Sequence, residues 1–282
     1  MSTDASTDAR ALRDVFFLTC GVFVAPAPVV LPFGQRPLST VKLSNTVAVA
    51  VRADGDLVLV DAGWSSVTCA SPTRSLGRLQ TLGLGLRVRS EDSIAVQLRR
   101  LGYEADRVRA IFATHLHLDH VGGVEDFPNA EVIVSQAELK AYWHARSPAY
   151  RARDLARAGR IRAVALDQTP SYGFPGSADP FGDGRVVMLD ASGHTPGSVA
   201  VALRGPRRTF VHVGDAVYQR WEYGSATKGG GLLSATLARS RAGFARTLDS
   251  LRACEADPRR PTLVPSHDAE VFAGLPQAPA KA

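Results

Sequence analysis

Between Thr114 and Gly123 the chain reads Thr-His-Leu-His-Leu-Asp-His-Val-Gly-Gly, and no other stretch constrains the fold as tightly. Four metal-capable side chains, His115, His117, Asp119 and His120, fall within six residues. They follow directly on the apolar run Ala110-Ile111-Phe112-Ala113, which reads as a short buried strand. Where the chain leaves that strand, the side chains of the next loop can converge on a point. In an extended loop His115 and His117 share one side, because side chains alternate with period two. Asp119 and His120 then face a second point a few Å further on. Gly122-Gly123 permits a tight turn after the cluster. Imidazole mixed with carboxylate suits zinc, iron or manganese, and the paired arrangement suggests two ions. Of the 7 histidines in the chain three stand here, which disfavours a chance surface grouping.

The rest of the composition bounds the partners. With 45% hydrophobic and 21% charged residues, a chain of 282 is an ordinary globular protein with room for a sizeable core. The net charge of +6 rests on arginines scattered in ones and twos, lysine occurring only at Lys42, Lys140, Lys228 and Lys281. They lack the interleaved aromatics of a single-strand groove, so no nucleic acid is expected. Cys20, Cys69 and Cys254 form no CxxC, which argues against a disulfide framework or a thiolate zinc site and favours a reducing, cytoplasmic setting. Val15 to Leu31 is largely apolar, but Asp4, Asp8 and Asp14 before it deny it the basic flank of an export signal. No uncharged run of membrane-spanning length follows, so no membrane span is expected.

The expected organisation is a disordered leader over 1–14, a single domain over 15–275 and a frayed tail over 276–282. A strand at Val15–Leu18 precedes a Pro-rich loop, Ala25 to Pro37. A hairpin follows, Thr46–Val51 with Leu57–Val60, joined through Ala53-Asp54-Gly55-Asp56. Residues 64 to 89 show little period and read as a long functional loop. Ser90 is the expected cap of a helix carrying Ile94, Leu98 and Leu101 on one face, stopped by Gly102. Beyond the metal loop come a strand at Glu131–Val134, a helix at Gln136–Trp143 and an Arg/Ala-rich helix from about Tyr150 to Arg160. Residues 168 to 184 are loop by composition. Strands at Arg185–Leu189, Val199–Leu203 and Thr209–Val213, a helix over Ala235–Cys254 and a strand at Thr262–Val264 complete the chain. Runs of strands punctuated by helices suggest an α+β fold with two stacked sheets and helices outside.

Three further metal-capable residues each stand just past an apolar run: His194 in Ser192-Gly193-His194-Thr195-Pro196-Gly197, Asp215 after Val213-Gly214, and His267 in Pro265-Ser266-His267-Asp268. Singly each is a weak signal, but together they supply what a two-metal site lacks after the cluster.

Taken with Asp61 after the strand Leu57–Val60, this ordered set resembles the metallo-β-lactamase superfamily, and the matching motifs span most of the chain. The resemblance implies an αββα sandwich, two mixed β-sheets flanked by helices, with a two-metal site at the strand ends. One metal would be held by His115, His117 and His194, the other by Asp119, His120 and His267, with Asp215 bridging both. Asp61 would fix a ligand histidine by hydrogen bond. The implied cofactors are two divalent ions, zinc foremost, with iron, manganese and cobalt as alternatives. His212 and His144 match nothing in the motif and read as structural.

Within the superfamily, His117 argues against the redox di-iron branch, and Asp215 in place of cysteine argues against the antibiotic-cleaving branch. The length leaves no room for the inserted domain of the RNA-processing branch. Tyr218, three residues after Asp215, looks like the tyrosine of the N-acyl homoserine lactonases, which donates a hydrogen bond to the substrate carbonyl. Ser266-His267-Asp268, Leu59-Val60-Asp61-Ala62-Gly63 and the segment from Leu101 to Thr114 are similar to that branch as well. The implied reaction is lactone opening by a metal-bridging hydroxide, with Tyr218 and Asp119 as catalytic residues. The implied partner is a small-molecule lactone or ester, acting on a monomer or homodimer. Residues 22 to 45 and 64 to 89 would shape the acyl pocket and carry no matching contacts. The alternatives are a thioesterase resembling glyoxalase II, whose glutathione-binding C-terminal region has no counterpart in the short apolar tail, and a non-catalytic metal-binding sensor.

Overall fold

The computed structural model describes residues 11–31, 38–144, 147–151, 155–156, 158–224 and 232–279. Its first sheet is made of β1 (Leu12–Pro26), β2 (Thr40–Arg52), β3 (Leu57–Val60), β4 (Leu86–Arg87), β5 (Val108–Phe112), β6 (Glu131–Ser135) and β7 (Arg160–Val164). Its second is made of β8 (Ser177–Ala178), β9 (Val186–Asp190), β10 (Val199–Arg204), β11 (Thr209–Gly214) and β12 (Thr262–Pro265). The spatial orders are β4-β1-β2-β3-β5-β6-β7 and β12-β11-β10-β9-β8. Both sheets are mixed. β3, β5, β6 and β7 run parallel, as do β11 and β12, and the remaining pairs are antiparallel.

Alternation along the strands builds the layers. Phe17, Ala48, Ala50, Val60 and Phe112 from the first sheet meet Met188, Val201, Leu203, Phe210 and Val264 from the second in a shared interior. Their immediate neighbours Phe16, Val47, Val49, Leu59 and Ile111 turn the opposite way and bury Ile94 and Leu98 of the helix Ile94–Arg100. On the far side Leu189, Ala200, Ala202 and Val211 cover Phe244, Leu248 and Leu251 of the helix Arg241–Glu255. The result is the expected αββα sandwich. Truncating a central side chain such as Phe112, fully buried between the sheets, should destabilise the fold by about 3–5 kcal/mol.

Several elements differ from expectation. β1 is long, starting at Leu12 and running through Gly21 to Pro26, because it pairs along most of its length with β2. The expected loop 64–89 holds three short helices, Ser66–Ala70, Pro72–Leu76 and Arg78–Gly83, and then β4. Each is too short to leave a 3.6-residue pattern in the sequence. Ser93, not Ser90, caps the helix Ile94–Arg100, and Ser90–Asp92 is a separate turn of 3₁₀-helix. The helix expected over Ala235–Cys254 is two helices, Leu232–Leu237 and Arg241–Glu255, with Ser240 capping the second by accepting from the Gly243 amide at 3.0 Å. Of the helix expected over 150–160, residues 152–154 and 157 lie outside the described residues; 155 and 156 are helical, 150, 151, 158 and 159 are not, and Arg160 opens β7. At the other end Leu275 is buried, and the Pro276 carbonyl accepts from the Phe17 amide at 2.7 Å.

Strand direction positions the site. β9 is antiparallel to β10, which is antiparallel to β11, so β9, β11 and β12 all run the same way. β3 and β5 are likewise co-directional. The carboxyl ends of all five strands therefore lie in two rows, and the two rows are joined at one rim. There Val199 N–H donates to the Thr114 carbonyl at 2.8 Å and Thr46 N–H to the Ser266 carbonyl at 2.9 Å. No described helix is long and apolar enough to cross a membrane.

Candidate metal centre

Every residue singled out after a strand end arrives at this rim. His115 and His117 leave β5, Asp119 and His120 sit on a single helical turn, Leu118–Val121, and Asp61 follows β3. His194 comes from the loop after β9, Asp215 directly after β11, and His267 after β12. Asp119 and His120 thus lie on a helix instead of the extended loop expected. The helical turn is what rotates them away from His115 and His117.

The side chains gather in three overlapping groups: His115 with His117 and His194, His115 with His120 and Asp215, and Asp119 with His120 and His267. Within each group the candidate ligand atoms lie within 4.8 Å of one another. In the first group His115 Nε2 is 3.0 Å from His117 Nδ1, which is 3.1 Å from His194 Nε2. In the last, Asp119 Oδ2 is 3.6 Å from His120 Nε2 and 3.8 Å from His267 Nε2. Asp215 stands between them and divides its two oxygens. Oδ1 is 3.1 Å from both His120 Nε2 and His267 Nε2, whereas Oδ2 is 3.5 Å from His194 Nε2 and 4.0 Å from His115 Nε2.

Hydrogen bonds from behind aim the rings. Asp61 is fully buried at a positive φ of 62°, a conformation unusual for a residue with a side chain. From there Oδ1 accepts the Thr114 amide at 2.8 Å, while Oδ2 accepts the Thr114 hydroxyl at 2.9 Å and His120 Nδ1–H at 2.7 Å. The His120 tautomer is thereby set, leaving Nε2 free to face forward. His267 donates Nδ1–H to the Ser44 carbonyl at 2.6 Å with the same consequence. Asn45 Nδ2 donates to the Asp119 carbonyl at 2.9 Å and ties down the helical turn. His212 donates or accepts only within the fold, its Nε2 lying 3.0 Å from the Thr46 carbonyl. His144 sits exposed at a helix end, its Nδ1 2.7 Å from the Lys140 carbonyl. Neither approaches the centre.

The electrostatics divide along the same line. Burial, reinforced by neighbouring imidazoles, holds His115 and His117 well below the ordinary histidine value, and burial lowers His194 as well. Burial acts on His120 and His267 too, but the carboxylates of Asp215 and Asp119 outweigh it and raise both. Burial alone would raise Asp215, but His267 and His120 override it and hold its carboxyl well below the usual range. A bound cation fits this donor set. His120 Nε2 and Asp215 Oδ1 are buried and converge, yet neither makes a hydrogen bond of acceptable geometry among the described residues. Unpartnered buried acceptors directed at one space are what a divalent ion would satisfy.

A cavity of about 780 Å³ opens onto the centre, with His117, Asp119 and Tyr218 at its floor and Phe23, Trp64 and Leu84 on its wall. The Tyr218 ring stacks on His267 at 4.9 Å. Burial first, then the nearby Asp215 carboxylate, raises the Tyr218 phenol well above its ordinary value, so the hydroxyl keeps its proton. Segments 22–45 and 64–89 do reach this cavity, through Phe23, Trp64, Leu79 and Leu84. Ser147–Ala149 and Thr236–Arg239 reach it as well, which sequence did not suggest. A second cavity of about 710 Å³ beside β4 contains none of the clustered histidines, and the chemistry puts the site in the first.

Sequence reasoning also missed Glu138, fully buried beneath the first histidine group. A lone carboxylate in the first turn of a helix ordinarily serves the helix dipole, so the sequence gives no signal that sets it apart.

Comparison with known proteins places the family and the fold. A family description of the metallo-β-lactamase superfamily matches residues 41–267. A probable metallo-hydrolase of Mycobacterium tuberculosis is 36% identical over 176 residues, covering 60% of this chain and 56% of that protein. The chain therefore matches little more than half the length of that curated relative. An N-acyl homoserine lactonase of Agrobacterium fabrum is 29% identical over 191 residues, covering 65% of this chain and 66% of that one. Among solved structures, an N-acyl homoserine lactone hydrolase with the product N-hexanoyl-L-homoserine at its catalytic metal center superposes with a TM-score of 0.73 at 19% identity, over 94% of this chain and 96% of the other. A dizinc quorum-quenching lactonase superposes with a TM-score of 0.59 at 17% identity, over 92% and 89%. At such identities the superpositions establish the fold.

Proposed function

The chain belongs to the metallo-β-lactamase superfamily, and on that premise we propose that it is a metal-dependent hydrolase that opens lactone rings, N-acyl homoserine lactones foremost. One observation carries the reading: Asp215 turns one oxygen to each of two histidine groups, beneath a cavity whose wall is apolar. His115, His117 and His194 would hold one divalent ion, Asp119, His120 and His267 the other, and Asp215 would serve both. Zinc suits this mixed imidazole and carboxylate set. When bound, two such ions would make an activated water available near neutral pH and polarise the substrate carbonyl.

The chain's own residues supply the rest. Tyr218 keeps its proton and donates it as a hydrogen bond to the oxygen that gains charge as the carbonyl is attacked. Asp119, at the cavity floor, would take up on its carboxylate the proton that the attacking water gives up and pass it to the ring oxygen that leaves. Phe23, Trp64 and Leu84 offer an acyl chain a surface from which water is excluded.

The test is acid release from homoserine lactones of graded acyl length, alongside thioester and phosphodiester substrates. Lactones should be cleaved fastest; faster thioester cleavage would replace the reading with a thioesterase, and metal binding with no turnover would replace it with a sensor. Tyr218→Phe should lower the lactonase rate by about 10²-fold or more, the usual size for one oxyanion donor, with metal content unchanged. An unaltered rate would remove Tyr218 from the mechanism.

A further inference from the structure

Glu138 lies in the first turn of the helix Gln136–His144 with no exposure to solvent, and it touches none of the seven candidate ligands. Its carboxylate nevertheless collects four donors. Oε1 accepts the Leu116 amide at 2.9 Å and the Tyr150 hydroxyl at 2.9 Å. Oε2 accepts the Thr195 hydroxyl at 2.6 Å and the Gly197 amide at 3.2 Å. Three of the four donors adjoin a member of the same group. Leu116 separates His115 from His117, Thr195 follows His194, and the Tyr150 ring packs edge-on against His117 at 4.7 Å. The approach is close enough that a Cβ on Gly197 would collide with the Glu138 backbone. Ser135 reinforces the junction, donating its hydroxyl to the Gly197 carbonyl at 2.6 Å and accepting the Glu138 amide at 3.0 Å. Among the described residues, no hydrogen bond of Glu138 reaches Asp119, His120 or His267.

We infer that Glu138 is the positioning residue of the His115–His117–His194 group, a buried carboxylate that locks three separate segments so that three ring nitrogens converge. The inference rests on the reading that this group holds a metal. A carboxylate fits best because the Leu116 and Gly197 amides can only donate, one to each oxygen; whichever way a glutamine turned its NH₂, it would oppose one of those amides, although the hydroxyl beside it could turn and accept. Asp61 does the corresponding work for His120 on the other side. The two groups therefore lean chiefly on different buried acids, although Asp61 also reaches His115 through the Thr114 hydroxyl, which lies 3.1 Å from His115 Nδ1.

The experiment compares parent protein with Glu138→Gln, measuring metal content after dialysis, the affinity of each site by chelator competition, and the visible spectrum of the cobalt-loaded protein. The expected result is an affinity about 10–100-fold weaker at one site, the usual effect of removing a partner that orients a ligand, with the other site unchanged. Only one of the two cobalt environments should change. A merely structural role would lower the melting temperature and leave both affinities where they were, and that outcome overturns the inference. If Glu138→Gln does not fold, Thr195→Val and Tyr150→Phe each remove a single donor and should weaken the same site by several-fold; unchanged affinity in both would overturn the inference equally. A parent that binds no metal would instead sink the metal reading itself.

Discussion

His115, His117 and His194 form one side of the centre, and His120 and His267 with Asp119 form the other. All five imidazoles are largely shielded from solvent, His117 least so, yet their proton affinities move in opposite directions. On the first side burial and neighbouring rings depress them; on the second the carboxylates of Asp215 and Asp119 overcome burial and raise them. Residue type is shared and burial nearly so; the proximity of carboxylates therefore decides the sign. In the metal-free protein the first group presents neutral nitrogens ready for a cation. The second holds protons that a cation must displace. Asp215 is the element common to both.

Asp215→Ala should have the largest effect. Without the shared carboxylate the two groups lose their link, and metal analysis of dialysed protein should show loss from both sides together with loss of hydrolysis. Retention of metal at parental affinity on both sides would erase Asp215 from the centre. Asp61→Asn sharpens the comparison at one side. Metal binding at the Asp119–His120–His267 group should weaken by about 10–100-fold, and at the other group, which Asp61 reaches only through the Thr114 hydroxyl beside His115, by less, measured by chelator competition. Equal weakening of both would mean that the two sides are not independently supported.

The smallest effect is a pH dependence of the metal-free fold, followed by thermal melting in the presence of chelator. His115, His117 and His194 are depressed below their ordinary value of 6.5, so the unfolded chain takes up more protons than the native one beneath that pH. Their contribution therefore rises as pH climbs toward 6.5. His120 and His267 are raised, so the native state binds more protons above 6.5, and their contribution fades as pH rises through their folded values. The melting temperature should pass through a maximum near 6.5. A monotonic profile would break the opposition between the two sides.

Much of this was legible along the chain, for reasons particular to each residue. The candidate ligands could be found because each stands just past an apolar run, where a strand ends and a loop begins. The strands β2, β3 and β10 could be found because a sheet buried on both faces demands continuous apolar runs, as in Thr46–Val51. β7 could not, since Arg160-Ile161-Arg162-Ala163-Val164 is largely exposed and lacks that run. The helices between Ser66 and Gly83 have five or six residues each, too few for a period. Ser90 and Ser93 are both competent caps, and only the path of the preceding turn selects Ser93. Glu138 was invisible because its partners lie between 12 and 59 residues away.

By itself the sequence determined which side chains are available for chemistry and where each leaves its strand, because those properties are local and follow from side-chain type and the period of burial. Tertiary structure alone decided that Asp215 divides its oxygens between two groups, that three imidazoles lose proton affinity while two gain it, and that Glu138 and Asp61 each brace chiefly one side. Hydrogen bonds and the strongest electrostatic effects act over a few Å in space, and those distances exist only once segments remote in the chain have been folded onto the same rim.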